Sequence, residues 1–429
     1  MISQLLFTII LIAAVYLFGK NVGKIRRNIL LGRPVNRTDR RAERWLIMAK
    51  VALGQTKMVK RPVAAVMHFF IYVGFIIINL EVLEIMIDGV LGTHRVFAKP
   101  LGSLYNVLIG GFVVLAVLVL VACAVFLIRR NIIRLKRFSG TEMTQWPKSD
   151  ANYILLIEIA LMTAFLTMNA ADYKLQALHI GHYVNAGSFP VSNWLAAILP
   201  DNSNTLVLVE RTCWWLHIVG ILAFLNYLPY SKHFHILLAF PNTWYSNLEP
   251  KGEFTNMASV TTEVKAMLDP SFVPENTGEP GRFGAKDVTD LTWKNLMEAY
   301  TCTECGRCTS VCPANITGKL LSPRKIMMDT RDRITEVGNN LDKHQQDNKT
   351  LLDDYISREE LWACTTCNAC VDACPVNINP LEIITEMCRY VVMEESAAPA
   401  SLNNMFGNVE NNGAPWKYSN ADRFNWAEK

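Results

Sequence analysis

Two stretches repeat one cysteine pattern: Cys302–Pro313, with the sequence CTECGRCTSVCP, and Cys364–Pro375, with the sequence CTTCNACVDACP. Each follows C-x-x-C-x-x-C-x-x-x-C-P, and the two runs use eight of the 11 cysteines in a chain of 429 residues. The two-residue gaps let three thiols converge on one centre, while the fourth thiol lies further along and precedes a proline. The pattern therefore predicts two related metal centres.

This spacing is that of thiolates that bind [4Fe–4S] clusters, where the fourth cysteine of each run binds the other cluster. A zinc site needs four ligands and gains nothing from a duplicated set followed by proline. Disulfides fit no better, because C-x-x-C runs this dense are typical of metal binding in reducing compartments. We predict two ligand sets: Cys302, Cys305, Cys308 and Cys374 for cluster 1, and Cys364, Cys367, Cys370 and Cys312 for cluster 2.

The composition indicates a membrane protein. Hydrophobic residues make up 51% of the chain and charged residues only 19%, with the apolar runs concentrated in the first half. The net charge of +4 gives no case for nucleic-acid binding. Each of five apolar runs approaches or exceeds the ~20 residues that cross a bilayer. We predict membrane helices at about 3–19, 63–89, 104–128, 152–171 and 206–236.

The charges between these runs predict an orientation. A basic stretch follows the first run, and Arg129, Arg130, Arg134, Lys136 and Arg137 follow the third, whereas 172–205 holds Lys174 as its one lysine or arginine before the last run. Cationic loops stay in the cytoplasm. The chain is therefore expected to cross the cytoplasmic membrane several times, with its N-terminus outside and the iron–sulfur segment in the cytoplasm.

Three histidines are candidate haem ligands. His68 lies early in the second apolar run, His217 lies within the fifth, and His235 follows 18 residues later. If the fifth helix continues past Pro229, His217 and His235 share one face, about 27 Å apart. The alternative for each is a hydrogen-bonded core histidine, but ionisable residues inside a membrane span are functional by default. We predict haem b in the membrane half (residues 1–236).

The stretch FLNYLPYSKHFHI resembles the fifth helix of the cytochrome b (gamma) subunit of respiratory nitrate reductases. That resemblance implies a five-helix bundle with two bis-histidine haems, in which His68 and His235 bind the cytoplasmic-side haem and His217 the outer one. The second outer ligand falls at Ile78 here, so one haem is expected, or two if another histidine serves. The remaining candidates lie in outer loops, where surface residues are expected: His94, His179 and His182.

Acidic residues also occur in the apolar runs. Glu81, Glu84 and Asp88 lie on the second, and Glu158 lies on the fourth. A charged side chain is unfavourable in lipid, and two interpretations explain the presence of these acids equally well. These acids relay protons to a quinone, or they serve as buried hydrogen-bonding partners.

The C-terminal half (residues 237–429) reads as a connector at 237–290, an all-helical ferredoxin domain at 291–395, and a tail at 396–429. The run DVTDLTWKNLMEAYTCTECGRCTSVCP, the twin motif and NVENNGAPW in the tail resemble the iron–sulfur half of membrane-bound heterodisulfide-reductase-like proteins. These include menaquinone-linked oxidoreductases that accept electrons from electron-transfer flavoprotein. The resemblance implies a further cysteine-rich catalytic domain, expected here on a separate cytoplasmic subunit that the tail docks.

Together these features predict an oxidoreductase subunit. It would pass electrons between a cytoplasmic donor, such as electron-transfer flavoprotein, and the quinone pool through two [4Fe–4S] clusters and haem b. One alternative is quinol-driven reduction of a disulfide with a separate catalytic subunit. Another is a haem-free iron–sulfur scaffold in the membrane. No G-x-G-x-x-G run supports nucleotide binding, since GRFGAK at 281–286 lacks that spacing.

Overall fold

The computed structural model describes residues 1–187, 189–273, 282–417, 419–422 and 424–428. Within these ranges the chain is helical, with two isolated β-bridges and no β-strand. The prediction of an all-α chain is therefore confirmed for the described residues.

Five helices are long and apolar enough to cross a membrane, as predicted. The shortest have 28 residues, which at 1.5 Å per residue is about 42 Å and exceeds the ~30 Å hydrocarbon core. The fourth packs against the third and fifth, the second against the third, and the first against the second and fifth. The five membrane helices are Ile2–Ile29, Pro62–Leu91, Ser103–Ile132, Trp146–Ala177 and Ser203–Tyr230.

The first membrane helix is longer than predicted. It continues through the basic residues after position 19 and ends at Ile29. Its last turn contacts the C-terminal half, where Arg27 pairs with Asp342 and Asn28 donates from Nδ2 to the Tyr300 hydroxyl at 3.0 Å. These distant partners stabilise a segment that the apolar pattern alone could not assign to the helix.

The fifth membrane helix does not run on to residue 236, so that prediction was wrong. The α-helix Ser203–Tyr227 passes into a short 3₁₀ turn and stops at Ser231, whose φ of −115° and ψ of 151° are extended. Pro229 has no N–H to donate to the preceding turn, and the Ser231 side chain caps the turn that follows. A separate helix, His235–Trp244, begins after this break.

The C-terminal half is a cluster of short helices around one apolar core. Ser322 and Asn379 accept hydrogen bonds from the first turns of the two longest helices, each of which has proline at its start. The segment LLDDYISREELWA forms two short helices, Leu351–Asp354 and Arg358–Trp362. The main helices here are Ala258–Leu268, Trp293–Thr301, Pro323–Asp342, Pro380–Met393 and Ala400–Asn412.

The predicted connector contains structure of its own. Residues 237–244 complete the helix that starts at His235, and Ala258–Leu268 forms a second helix. Residues 274–281 lie outside the described ranges. The connector therefore includes two helices among its described residues.

The loops at one end of the membrane helices pack directly on the C-terminal half. The Arg324 side chain is almost fully buried, donates to the Arg137 carbonyl at 2.5 Å, and pairs with Glu142 at 2.6 Å. Arg61, just before the second membrane helix, donates to Ser310 at 2.7 Å. This junction brings the cysteine motifs to the ends of the membrane helices.

Candidate functional site

The two cysteine motifs adopt one backbone shape. Glu304 and Thr366, each two residues after the first cysteine of a motif, have φ of 54° and 53°. Two positions later, Gly306 and Asn368 have φ of 69° and 59°. Such left-handed residues curl a loop so that its amide groups point inward. In each motif a backbone amide bonds to the first thiol, from Glu304 to Cys302 and from Thr366 to Cys364.

Thiols from the two motifs lie near one another. The Cys308 thiol interacts electrostatically with the other three predicted ligands of cluster 1, including Cys374 from the second motif, and also with Cys370. The Cys370 thiol interacts with the other three predicted ligands of cluster 2, including Cys312 from the first motif. Burial raises the pKa of Cys370 to about 12 and that of Cys374 to about 11. Each fourth cysteine therefore lies near thiols of the other motif, and the assignment of single thiols to clusters stays a prediction.

A cavity separates the thiols predicted for cluster 2. Its empty volume is about 320 Å³, including open solvent at its mouth. The apolar side chains of Leu321, Leu381 and Ile384 form part of its wall. The site thus combines space, four sulfur donors and a partly apolar surround, and so fits an iron–sulfur cluster. The four thiols in its lining are Cys312, Cys364, Cys367 and Cys370.

The sulfur donors are spread around this space. Among the described residues no three side chains of Cys, His, Asp or Glu converge as ligands of one ion. In a cubane each thiolate binds a different iron, whereas the ligands of zinc share a single ion.

The two thiol groups differ at one position in their access to solvent. Cys367 of the second group is exposed, whereas the cysteines of the first are buried or half-buried. Each group buries two cysteines to a similar extent, Cys302 and Cys374 in the first and Cys312 and Cys370 in the second. The first group also borders the membrane half, because Lys57 donates from Nζ to the Cys374 carbonyl at 3.2 Å. The loop before the second membrane helix is thus in contact with the first thiol group.

A buried ion network adjoins the first thiol group, and the sequence analysis missed it. Glu304, between the first two cysteines, is 2% exposed and pairs with Lys232 and with Arg331, the latter at 2.7 Å. Burial alone would raise the pKa of Glu304, but Arg331 and Lys232 outweigh it and lower that pKa. The Lys232 ammonium also donates to the Pro147 carbonyl at 2.6 Å. Two sequence features could have revealed this network: the acid between two cysteines, Glu304, and the lysine in the stretch YSKHFH, Lys232.

The structure brings His68 and His235 together despite the helix break. The imidazoles of His68 and His235 interact electrostatically, and His68 also interacts with Arg307 of the first cysteine motif. A third imidazole, His233, lies in the same group, with its ring 5.5 Å from that of His235. The break at Ser231 therefore still leaves His235 near His68, the arrangement that a continuous helix was expected to supply.

The candidate ligands share one hydrogen-bonding arrangement. Nδ1 contacts an oxygen atom in each: Gln55 Oε1 at 3.1 Å for His68, the Lys232 carbonyl at 3.1 Å for His235, and the Leu161 carbonyl at 3.0 Å for His217. Metal-binding histidines commonly donate one ring N–H to an oxygen and so present the other nitrogen to the metal. His233 has no such side-chain hydrogen bond within the described ranges. The imidazoles of His68, His235 and His217 therefore fit haem ligation through Nε2.

His217 lies apart from the other two candidate ligands. It is fully buried, and its Nε2 has no hydrogen-bond partner among the described residues. The ring that packs on it belongs to Phe165, with centroids 5.5 Å apart. Ile78, at the position of the expected second ligand, is buried in the apolar core of the bundle. His68 and His235 thus lie in one group of imidazoles, His217 lies apart from it, and haem ligation by these residues stays a prediction.

Comparisons with known proteins agree with the cysteine motifs. Residues 301–378 match the family model described as a 4Fe-4S dicluster domain. The iron–sulfur prediction is therefore confirmed at the level of the domain type. No solved structure matches the chain.

Relatives extend this similarity over the whole chain. The chain is 27% identical, over 100% of its length and 61% of the relative's, to the probable iron-sulfur-binding oxidoreductase FadF of Bacillus subtilis. It is 26% identical, over 99% of its length and 59% of the relative's, to the EtfAB:quinone oxidoreductase of Syntrophomonas wolfei. A third relative, a subunit of the dihydromethanophenazine:CoB–CoM heterodisulfide reductase of Methanosarcina mazei, is 28% identical over 33% of the chain and 35% of its own length. The chain spans about 60% of the first two relatives.

Proposed function

We propose that this chain is the membrane-anchored electron-transfer part of a quinone-linked oxidoreductase. Electrons pass between a cytoplasmic partner and the quinone pool through cluster 2, cluster 1 and haem b. The observation that carries the proposal is the spatial order of the candidate ligands. Cys367 is exposed, the first thiol group borders the membrane half, and His68 interacts with Arg307 of the first motif.

One haem b is assigned to His68 and His235. A bound haem supplies one-electron transfer, and the protein orients its ligands and tunes its potential. Gln55 and the Lys232 carbonyl contact Nδ1 of the two imidazoles and leave Nε2 for the iron. His217 has the same arrangement and would bind a second haem only with a further ligand opposite it.

The quinone and the cytoplasmic partner are proposed from the relatives. Similarity to an EtfAB:quinone oxidoreductase over almost the whole chain supports a quinone acceptor and a donor of the electron-transfer-flavoprotein type. Similarity to a subunit of a heterodisulfide reductase supports a multi-subunit complex, in which we assign the catalytic part to a partner polypeptide. Trp416 and Trp426 in the tail are 63% and 78% exposed, and such aromatic side chains suit a docking surface. The basic loops support an orientation with the C-terminal half in the cytoplasm and the N-terminus outside.

A second candidate function is quinol-driven reduction of a disulfide. The similarity to a heterodisulfide reductase subunit favours it. The two functions use the same carriers within this chain and differ in the substrate of the partner subunit. Isolation of the complex and assay of the partner with flavoprotein or disulfide substrates distinguishes them.

The test of the proposed cofactors is a reduced-minus-oxidised absorption spectrum with haem and iron quantitation on the purified full chain. We expect about one haem per chain, lost in His68→Ala and in His235→Ala. His233→Ala is the matched control, because this neighbouring imidazole lacks the Nδ1 contact, and it should keep its haem.

Three results would overturn parts of the proposal. A wild-type protein without haem would leave an iron–sulfur scaffold in the membrane. Loss of haem in His233→Ala with retention in His235→Ala would reassign the ligand. Iron well below the eight atoms of two [4Fe–4S] clusters would contradict the two-cluster assignment.

A further inference from the structure

A polar cluster is buried at the end of the membrane helices remote from the cysteine motifs. The second membrane helix starts next to the first motif, where Arg61 contacts Ser310. Glu81 lies 19 residues beyond Pro62, about 28 Å along the helix. Glu81, Glu84 and Asp88 are 2%, 2% and 9% exposed. We call this group and its partners the distal polar cluster: Glu81, Glu84, Asp88, His94, Arg95, Tyr105, Asn169, Asp172 and Gln176.

Arg95 is the central cation of the distal polar cluster. It lies in the loop after the second membrane helix, yet its side chain is only 7% exposed. It pairs with Asp172 at 2.6 Å, donates to Asn169 Oδ1 at 2.8 Å, and lies 3.6 Å from Glu81. The cluster thus holds four carboxyl groups and one guanidinium, which pairs with two of them, Asp172 and Glu81. Since unpaired charge is costly inside a membrane, not all four can be satisfied as ions by Arg95.

Two of these carboxyl groups have full sets of other donors. Asp88 accepts hydrogen bonds from the backbone amides of Arg95 and Val96 at 2.7 and 3.2 Å. Glu84 accepts from the Tyr105 hydroxyl at 2.6 Å and from the backbone amide of Phe97 at 2.8 Å. These acids act as the buried hydrogen-bonding partners that the sequence analysis considered, and they fix the loop around Arg95.

Glu81 is different, because one of its oxygens has no well-formed hydrogen bond. Within the described residues, neither Glu81 Oε2 nor Asp172 Oδ1 makes a hydrogen bond of good geometry, although Asn169 faces Glu81, and His94 and Gln176 face Asp172. Asn169 Nδ2, Gln176 Nε2 and His94 Nδ1 are likewise buried without a hydrogen bond of good geometry. Donors and acceptors therefore lie near one another without well-formed direct hydrogen bonds. Buried water commonly satisfies such groups.

We propose that the distal polar cluster is a hydrated proton-exchange site, in which Glu81 carries the exchangeable proton and His94 passes it to the distal surface. The proton leaves the Glu81 carboxyl group for a bound water, and the chain of water and imidazole releases a proton to bulk water. The reverse sequence restores the acid. No electron moves, so this exchange operates whether or not the chain binds haem or quinone.

The position of His94 provides the exit. Its side chain is 10% exposed, so it is not the surface residue that its loop position predicted, and its Nε2 lies 3.4 Å from Asp172 Oδ1. Its ring lies 5.6 Å from that of His182, which is exposed. Glu158 interacts with Cys123 instead and takes no part. The groups that face the path are Arg95, Glu84 and Asp172 around Glu81, and Asp172, His182 and Tyr183 around His94.

The test is infrared difference spectroscopy of the full chain, with exchange from H₂O into D₂O. We expect Glu81→Gln to lose a C=O stretching band of a protonated carboxyl group. The control Glu43→Gln removes a half-exposed carboxylate and should lose no such band. Glu81→Asp, which keeps an acid, should retain a shifted band.

The second variant tests the path without removing the acid. His94→Gln should keep the Glu81 band but slow its deuterium shift at least about tenfold, because a positioned imidazole accelerates proton transfer ~10²–10⁴-fold. His179→Gln, in the same outer region and exposed, should exchange at the wild-type rate. The proposal is overturned if Glu81→Gln loses no acid band, or if His94→Gln exchanges as fast as His179→Gln.

Discussion

The contact between the membrane half and the cluster 1 loop can be tested with one methyl group. Gly306 has φ of 69°, and a Cβ atom there would lie 2.8 Å from the Arg137 carbonyl oxygen and 2.6 Å from Arg324 Nη1. An alanine in the left-handed region costs roughly 1–2 kcal/mol. Overpacking against the Arg137 backbone adds about 1–3 kcal/mol. Gly306→Ala should therefore destabilise the C-terminal half by roughly 2–5 kcal/mol.

Gly318→Ala is the matched control. Gly318 also has positive φ, 86°, but a Cβ atom there would have no heavy atom of another residue within 4 Å, apart from its chain neighbours. This variant has the backbone cost alone, so the two variants should differ by about 1–3 kcal/mol. For a unit of this size that is roughly 2–12 °C in the thermal midpoint.

The assay is thermal unfolding of the detergent-solubilised protein, with iron and acid-labile sulfide measured on the same samples. Gly306→Ala should have the lower midpoint and lose iron at a lower temperature than Gly318→Ala. Equal midpoints for the two variants would refute the close contact between Arg137 and the cluster 1 loop.

Two further predictions concern buried charges. Glu304→Gln removes a negative charge beside cluster 1 and leaves Lys232 and Arg331 unopposed, so the midpoint potential of cluster 1 should rise while that of cluster 2 stays unchanged. Potentiometric titration monitored by electron paramagnetic resonance measures both, and a shift confined to cluster 2 would contradict the assignment. Glu298→Ala leaves the ammonium of Lys294, now 2.5 Å from Glu298 and 2% exposed, buried without its anion, at a cost of about 3–5 kcal/mol. The double variant with Lys294→Met should recover part of the thermal midpoint, and a double variant no more stable than Glu298→Ala would argue against an unpaired ammonium as the cause.

The break after the fifth membrane helix shows how local pattern and tertiary structure can disagree. The 18-residue interval between His217 and His235 suggested one continuous helix face. Pro229 and the extended Ser231 end that helix, yet His235 still interacts with His68. The apolar pattern carried no signal for this break, because the break depends on the missing N–H of Pro229 and on the cap at Ser231.

Sequence alone determined the features whose cause is local. Cysteine spacing specifies which thiols can share a cluster, and runs of about 20 apolar residues specify membrane helices. Both are properties of a single segment, and they predicted all five helices, although not where the first and the fifth end.

Only the tertiary structure decided the features that join distant segments. It pairs Glu304 with Lys232, 72 positions earlier in the chain, and it buries Arg95 between the second and fourth membrane helices. A buried charge persists only where another segment supplies its counter-charge and hydrogen bonds. That partner is set by packing, which is why no single stretch of the sequence could reveal it.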